Sequence, residues 1–180
     1  MKPIITTPNQ VLTTRAKPVP KINHKTIQVI TEMRDALIKQ DQPKGVGLAA
    51  PQIGISWRIF LIRPQETDPI RVFLNPQIIV KSKKMVDGIP DADHRLEGCL
   101  SIPQVWGSVR RHESVTIKYL DEKGDEITEK FSGFPAVIIQ HELDHLDGIL
   151  FTRRVIEQKG KLYKPGVDDD GKEILEPLEI

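Results

Sequence analysis

Phe134-Pro135-Ala136-Val137-Ile138-Ile139-Gln140-His141-Glu142-Leu143-Asp144-His145 decides how this chain folds and which chemistry it can carry. On a helix, residues four apart lie roughly 6 Å apart along the axis and about 40° apart around it. His141 and His145 can therefore reach one metal ion from a single helical face. Glu142 stands beside the first of them, where a carboxylate can take a proton from metal-activated water. The apolar run from Phe134 to Ile139 brings both imidazoles close to a core, whereas a chance pattern of this kind belongs on a solvated surface helix. Ser132 or Gly133 can cap the helix, Pro135 suits its first turn and Gly148 suits its end.

Upstream, Val115-Thr116-Ile117-Lys118-Tyr119 alternates in polarity, and Asp121-Glu122-Lys123-Gly124 turns the chain back into Glu126 to Phe131. That hairpin leads directly into the metal-binding helix. Further back, Trp57 to Ile62 reads as a strand, and Val72-Phe73-Leu74 and Gln77-Ile78-Ile79-Val80 read as two short strands broken by Asn75-Pro76. Residues Lys25 to Lys39 form an amphipathic helix with Ile27, Ile30, Arg34, Leu37 and Ile38 at helical spacing. Residues 1–20 read as an extended polar arm, and Ser82 to Arg95 as a polar surface loop that either overhangs a cleft or is inert. Residues 160–180 form a tail or terminal strand, because Lys164-Pro165-Gly166 and Gly171 break any helix. The expected fold is one α+β catalytic domain over residues 1–180, with short antiparallel strands around one central helix plus the N-terminal amphipathic helix.

A catalytic metal site needs a third protein ligand and one open position. The long zinc-protease pattern would place a histidine where this chain has Phe151, so that subclass is excluded. A glutamate from a later helix is disfavoured by the Pro-, Gly- and Asp-rich sequence after Leu162. His24, His94 and His112 lack mutual ligand spacing. Cys99, the only cysteine, is the most economical third ligand, although a lone cysteine is also a common small buried hydrophobe. Gly98 before it and Pro103 after it shape a tight loop or strand end.

Three ordered segments resemble the signature motifs of the peptide deformylases: Gly45-Val46-Gly47-Leu48-Ala49-Ala50-Pro51-Gln52, then Glu97-Gly98-Cys99-Leu100-Ser101, then Gln140-His141-Glu142-Leu143-Asp144-His145. The resemblance covers most of the chain between about Pro43 and Phe151. It implies that Cys99, His141 and His145 bind a divalent metal and that Glu142 is the general acid and base. Gln52, through its side-chain amide, and Leu100, through its backbone N–H, would stabilise an oxyanion. The Gly45-Val46-Gly47 backbone would pair with the substrate as an added strand, glycine permitting the close approach. Glu97 would support the strand carrying Gly45, and Gly98 would adjoin the substrate. Val46, Phe134, Val137 and Ile138 are candidates for an apolar side-chain pocket, or are ordinary core.

The resemblance further implies hydrolysis of the formyl group from N-formyl-methionyl nascent chains, with Fe2+ in the cell and Zn2+, Ni2+ or Co2+ able to substitute. A thiolate ligand suits all four ions. A rival reading, a small metalloprotease with another third ligand, predicts metal binding that survives loss of Cys99. Lysine plus arginine exceed aspartate plus glutamate by one, 26 against 25, so no strong field favours nucleic acid or acidic membranes. A transient ribosome contact would have to use a local patch such as Arg153, Arg154, Lys159, Lys161 and Lys164, which as a rule is a solvated face. Met1 to Thr6 shows no secretory apolar stretch, no segment approaches a membrane span, and one cysteine permits no internal disulfide. A monomer in a reducing cytoplasm is the expected setting.

Overall fold

The computed structural model describes residues 2–40, 45–89, 96–168 and 171–178. Helix α1 (His24–Ile38) is followed by β1 (Gly47–Ala49), β2 (Ile59–Ile62), β3 (Arg71–Lys81), β4 (Met85–Asp87), β5 (Glu97–Cys99), β6 (Ile102–Gly107) and β7 (Arg110–His112). The chain continues through β8 (Ser114–Leu120), β9 (Glu126–Ser132), α2 (Phe134–Leu146), α3 (Phe151–Glu157), β10 (Leu162–Val167) and β11 (Glu173–Pro177). The strands form a five-stranded sheet in the order β1-β2-β3-β8-β9, a four-stranded sheet β11-β10-β6-β5, and the small pair β4-β7. Every ladder between these strands is antiparallel.

The five-stranded sheet is covered on both faces, which explains why Ile59-Phe60-Leu61-Ile62 is apolar without alternation. Phe60 and Ile62 turn to one side, where they pack with Phe73, Ile117 and α2 residues Ile138, Ile139 and Leu146. Ile59 and Leu61 turn to the other, against Leu48 and α1 residues Ile30, Met33 and Leu37. Between the second sheet and α3, Cys99 packs with Val109, Phe151, Val155 and Leu162. The two sheets end in edge strands β1 and β5, and the cleft described below runs between residues of those two edges.

Helix α1 starts one residue earlier than the sequence predicts, at an Asn23 cap. Asn23 Oδ1 accepts the Thr26 N–H at 3.2 Å, and Thr26 Oγ1 accepts the Asn23 N–H at 3.4 Å. Its buried stripe also turns: Thr26, Val29, Ile30, Met33, Ala36 and Leu37 face inward, while Ile27 and Ile38 are exposed. Ile30 and Leu37 are common to the predicted and the buried stripes; the buried face is rotated toward Val29, Met33 and Ala36, the side turned to the sheet. The two short strands predicted around Asn75-Pro76 are one strand, β3, with a register shift between Leu74 and Gln77. Asn75 takes a left-handed backbone (φ 50°), so the chain bulges there and pairing resumes beyond it.

Residues 2–20 are not a polar arm but a strap fastened to the domain. Leu12 is fully buried, and Ala16 and Val19 are nearly so. The Ala16 N–H donates to Leu146 O at 2.8 Å, and the Lys17 N–H to Ser56 O at 3.0 Å. Asn75 brackets Val19 by accepting its N–H at 2.7 Å and donating to its carbonyl at 3.0 Å. Polar composition hid this, because the strap is held mainly through its backbone. Leu12→Ala is expected to cost about 2–5 kcal/mol in urea-induced unfolding, the range for a buried leucine; a loss below about 1 kcal/mol would show a loose arm.

The Ser82 to Arg95 surface loop is also revised. Residues 85–87 are strand β4, paired with β7, and Ile89 reaches the cleft; positions 90–95 lie outside the described residues. The C-terminal stretch is β11, laid antiparallel along β10 at the far edge of the second sheet. Gly133 is the N-cap of α2, Pro135 sits in its first turn, and Gly148 turns the chain at its end with φ 73°. A Cβ on Gly148 would press on the Thr13–Thr14 backbone, so the strap passes directly against this turn. No helix among the described residues is long and apolar enough to cross a membrane.

Candidate metal centre

Helix α2 projects His141 and His145 from one face, with ring centroids 5.0 Å apart. Strand β5 ends at Cys99 on the facing side, and its Sγ lies 3.1 Å from His145 Nε2. One ligand atom from each of Cys99, His141 and His145 falls within 4.8 Å of the others. Burial pushes the Cys99 thiol up, but His145 and His141 outweigh it and hold the group well below its ordinary value. The donor set, one thiolate and two imidazoles with room for a fourth partner, is that of a catalytic divalent-metal site. Two buried atoms beside it, Glu142 Oε2 and His145 Nδ1, have no protein partner. A reacting molecule in the cleft fits the Glu142 oxygen better than a closed core does, while His145 meets Cys99 through Nε2, the other ring nitrogen.

The outer support is a buried chain of charges. His141 Nδ1 lies 3.0 Å from Glu97 Oε2, which turns Nε2 toward the other ligands. Glu97 in turn receives Arg111 through Nε and Nη2, both at 2.8 Å. The third nitrogen, Nη1, donates to Asp144 at 2.6 Å, and Asp144 also receives Arg154 Nη2 at 2.7 Å from α3. Burial alone would raise the Glu97 carboxyl; the Arg111 charge and hydrogen bonds, then His141, hold it at about 2. Asp144 is lowered likewise, with Arg154 and Arg111 overriding its burial. Glu97 was expected to support the strand carrying Gly45; its carboxylate instead serves Arg111 and His141.

Glu142 sits opposite, under β1. Its burial drives the carboxyl up to about 7 against the pull of His141 and His145. A Cβ on Gly47 would collide with the Glu142 carboxylate and with Ile138, so glycine there is a spatial requirement. Gly47→Ala is expected to lower kcat/KM for the reaction proposed below at least tenfold while metal content stays at the wild-type level, checked by kinetics alongside metal analysis. Equal kinetics would mean that Glu142 does not need its place under β1.

Gln52 occupies a short turn after β1. Its Oε1 accepts the Ala49 N–H at 2.8 Å, which fixes which end of the amide faces the centre. Its Nε2 lies 3.2 Å from Ser101 Oγ and 3.6 Å from Cys99 Sγ. A cleft of about 250 Å³ opens over these groups. Gly45, Val46, Gly47 and Gln52 line one wall, and Glu97, Gly98, Cys99 and Leu100 the other. Phe134, Val137, Ile138, His141 and Glu142 of α2 form the floor. Thus the residues picked from sequence line one cavity, apart from His145, which instead meets Cys99 at 3.1 Å; Val46, Phe134 and Ile138 also pack on the core.

Sequence reasoning missed Ile89, Leu96 and Trp106 in the lining, and the Arg111–Asp144 support. A signal for Arg111 existed: two-residue alternation from buried Val109 turns Arg111 inward. His112 is elsewhere, with Nδ1 2.7 Å from Ser82 O, and His94 lies outside the described residues. Of the basic run, Arg153 is paired with Glu157 at 2.8 Å and Arg154 with Asp144 at 2.7 Å.

A family model described as polypeptide deformylase matches residues 1–161. The peptide deformylase of Pseudothermotoga lettingae is 40% identical over 141 residues, 78% of this chain and 75% of that protein. That of Symbiobacterium thermophilum is 38% identical over 176 residues, covering 97% and 76%. The crystal structure of peptide deformylase from Thermotoga maritima aligns with a TM-score of 0.76 at 32% identity, covering 86% of this chain and 97% of that one. The Met-Ala-Ser-bound class I type b peptide deformylase from Acinetobacter baumannii aligns with a TM-score of 0.75 at 35% identity, covering 86% and 98%.

Proposed function

We propose, from the premise that this chain belongs to the polypeptide deformylase family, that Cys99, His141 and His145 hold its metal and Glu142 moves its proton. The activity is metal-dependent hydrolysis of the N-formyl group from the N-terminal methionine of newly made proteins, with release of formate. The observation that carries the residue assignment is the convergence of three ligand atoms beside a buried, unpartnered Glu142 oxygen at the floor of the cleft.

A divalent ion in this donor set supplies Lewis acidity, lowering the pKa of water and polarising a carbonyl. Glu142 takes a proton from the attacking water and returns it to the leaving amine nitrogen. The Gln52 amide and the Leu100 N–H donate to the oxygen on which charge develops. Glu97 keeps His141 in the tautomer that offers Nε2, and Arg111 and Asp144 hold Glu97 in place. The edge of β1 at Gly45-Val46-Gly47 pairs with the peptide backbone, with Gly98 on the opposite edge. Val46, Phe134, Val137 and Ile138 enclose the methionine side chain. Met-Ala-Ser in the Acinetobacter baumannii neighbour supports a peptide of that kind as the ligand here. The native ion in this reading is Fe2+, for which the thiolate-imidazole set is suited as it is for Zn2+, Ni2+ and Co2+. The chain acts as one catalytic domain, a monomer working in the cytoplasm on nascent chains, with Lys159 and Lys161 the basic side chains of that run for a transient ribosome contact.

Formate release from formyl-Met-Ala-Ser tests this directly, using protein prepared anaerobically with Fe2+. Rapid release is expected, lost on chelation and regained when the ion is restored. Protein holding one equivalent of metal yet releasing no formate would overturn the assignment.

A further inference from the structure

The side-chain amide of Gln52 faces more acceptors than it has protons. Its Nε2 carries two hydrogens, already directed at Ser101 Oγ (3.2 Å) and Cys99 Sγ (3.6 Å). A developing oxyanion is a third acceptor, so one resting bond must be surrendered in the reaction. The sulfur contact is the one placed to yield, because it is the longer and because Cys99 lines the cleft beside Gln52 whereas Ser101 does not.

The Ser101 contact is built to persist. Ser101 is fully buried, and the backbones on both sides of the contact are fastened by the same strap. The Ile5 N–H donates to Gln52 O at 2.8 Å, and the Thr7 N–H donates to Ser101 O at 3.0 Å. The Ala49 N–H on Oε1 prevents the amide from flipping. The amide is thus free only to tilt between the sulfur and the cleft.

We propose that Ser101 is a positioning residue whose hydroxyl oxygen holds one Nε2 proton of Gln52 throughout turnover, while the other proton alternates between the Cys99 sulfur at rest and the substrate oxyanion in reaction. This rests on Gln52 being an oxyanion donor and adds a second role, tuning of the thiolate. An N–H directed at a thiolate lowers the energy of its lone pairs and weakens it as a donor. The bond to sulfur is given up as the oxyanion forms, so the thiolate becomes the stronger donor at that moment.

The experiment uses the full chain loaded with Co2+, read by the sulfur-to-cobalt charge-transfer band and by kcat and KM. Gln52→Met keeps the length of the side chain and removes the N–H; its band is expected at longer wavelength than wild type. Ser101→Ala releases the amide onto the sulfur; its band is expected at shorter wavelength, with kcat down about tenfold and KM unchanged, the loss of one hydrogen bond to a charged group. A Gln52→Met band coincident with wild type would overturn the sulfur role, and a wild-type kcat in Ser101→Ala would overturn the positioning role. The bands are read without substrate, so these outcomes are distinct from failure of the deformylase reading, in which wild-type protein itself releases no formate.

Discussion

Glu142→Gln is expected to abolish nearly all formate release, lowering kcat by about 100- to 10,000-fold, the range for removing a positioned proton-transfer group. The substitution keeps the shape of a side chain that is buried beneath Gly47, so the floor of the cleft should not collapse. Metal content and KM are expected to stay at wild-type values, because Glu142 is not among the three proposed ligands. Stability supplies an independent readout. Burial drives this carboxyl up to about 7, which means that its surroundings disfavour the charge it must carry at neutral pH. Replacing it by a neutral amide should leave the melting temperature equal to or above that of wild type, as is usual when an active-site charge is removed. Retention of activity within a few-fold would transfer the proton step to another group and remove the main reason for the glycine at position 47.

Arg111→Met is the change expected to damage the fold most. It leaves Glu97 with His141 alone and Asp144 with Arg154 alone, two buried carboxylates that share this guanidinium, and breaking such a pair typically costs about 3–5 kcal/mol. Metal affinity should fall as well, by about 10- to 100-fold, because Glu97 would no longer be held against His141. Urea unfolding of the metal-loaded protein and a competition titration with a chelator measure the two effects. If Arg111→Met cannot be obtained folded, Asp144→Asn removes one end of the same network and should show the same signs at smaller size. Lys84–Glu113 serves as a control at a similar separation, 2.5 Å against 2.6 Å for Arg111–Asp144. Lys84 is 71% exposed and Arg111 5%, so Lys84→Met should change stability by less than about 1 kcal/mol. A small loss for Arg111→Met would mean that water reaches these carboxylates.

Elements set by local chemistry stand where the sequence places them. The hairpin Ser114–Leu120 and Glu126–Ser132, the turn at Gly124 and the start of α2 follow from alternation and turn chemistry within a few residues. The errors lie where partners are remote. Ile27 and Ile38 have helical spacing yet face outward, because the sheet beneath α1 decides which side of the helix is covered. Val72 to Val80 carries an internal Asn-Pro break, but cross-strand pairing with β8 resumes past the bulge. Residues 2–20 look polar because the strap is tied by backbone groups, which sequence does not distinguish.

Taken alone, the sequence determined the pairing of histidines on α2: a 3.6-residue period puts His141 and His145 on one face whatever surrounds them. It also carried the three motifs and with them the family. That Cys99 meets those histidines, that Glu97 serves His141 rather than the Gly45 strand, and that Arg111 and Ser101 complete the support was decided by tertiary structure alone. The reason is range. Helical periodicity acts over four residues, whereas the pairing of a buried charge or amide depends on which distant segment is pressed against it, and only the packed sheets and helices set that.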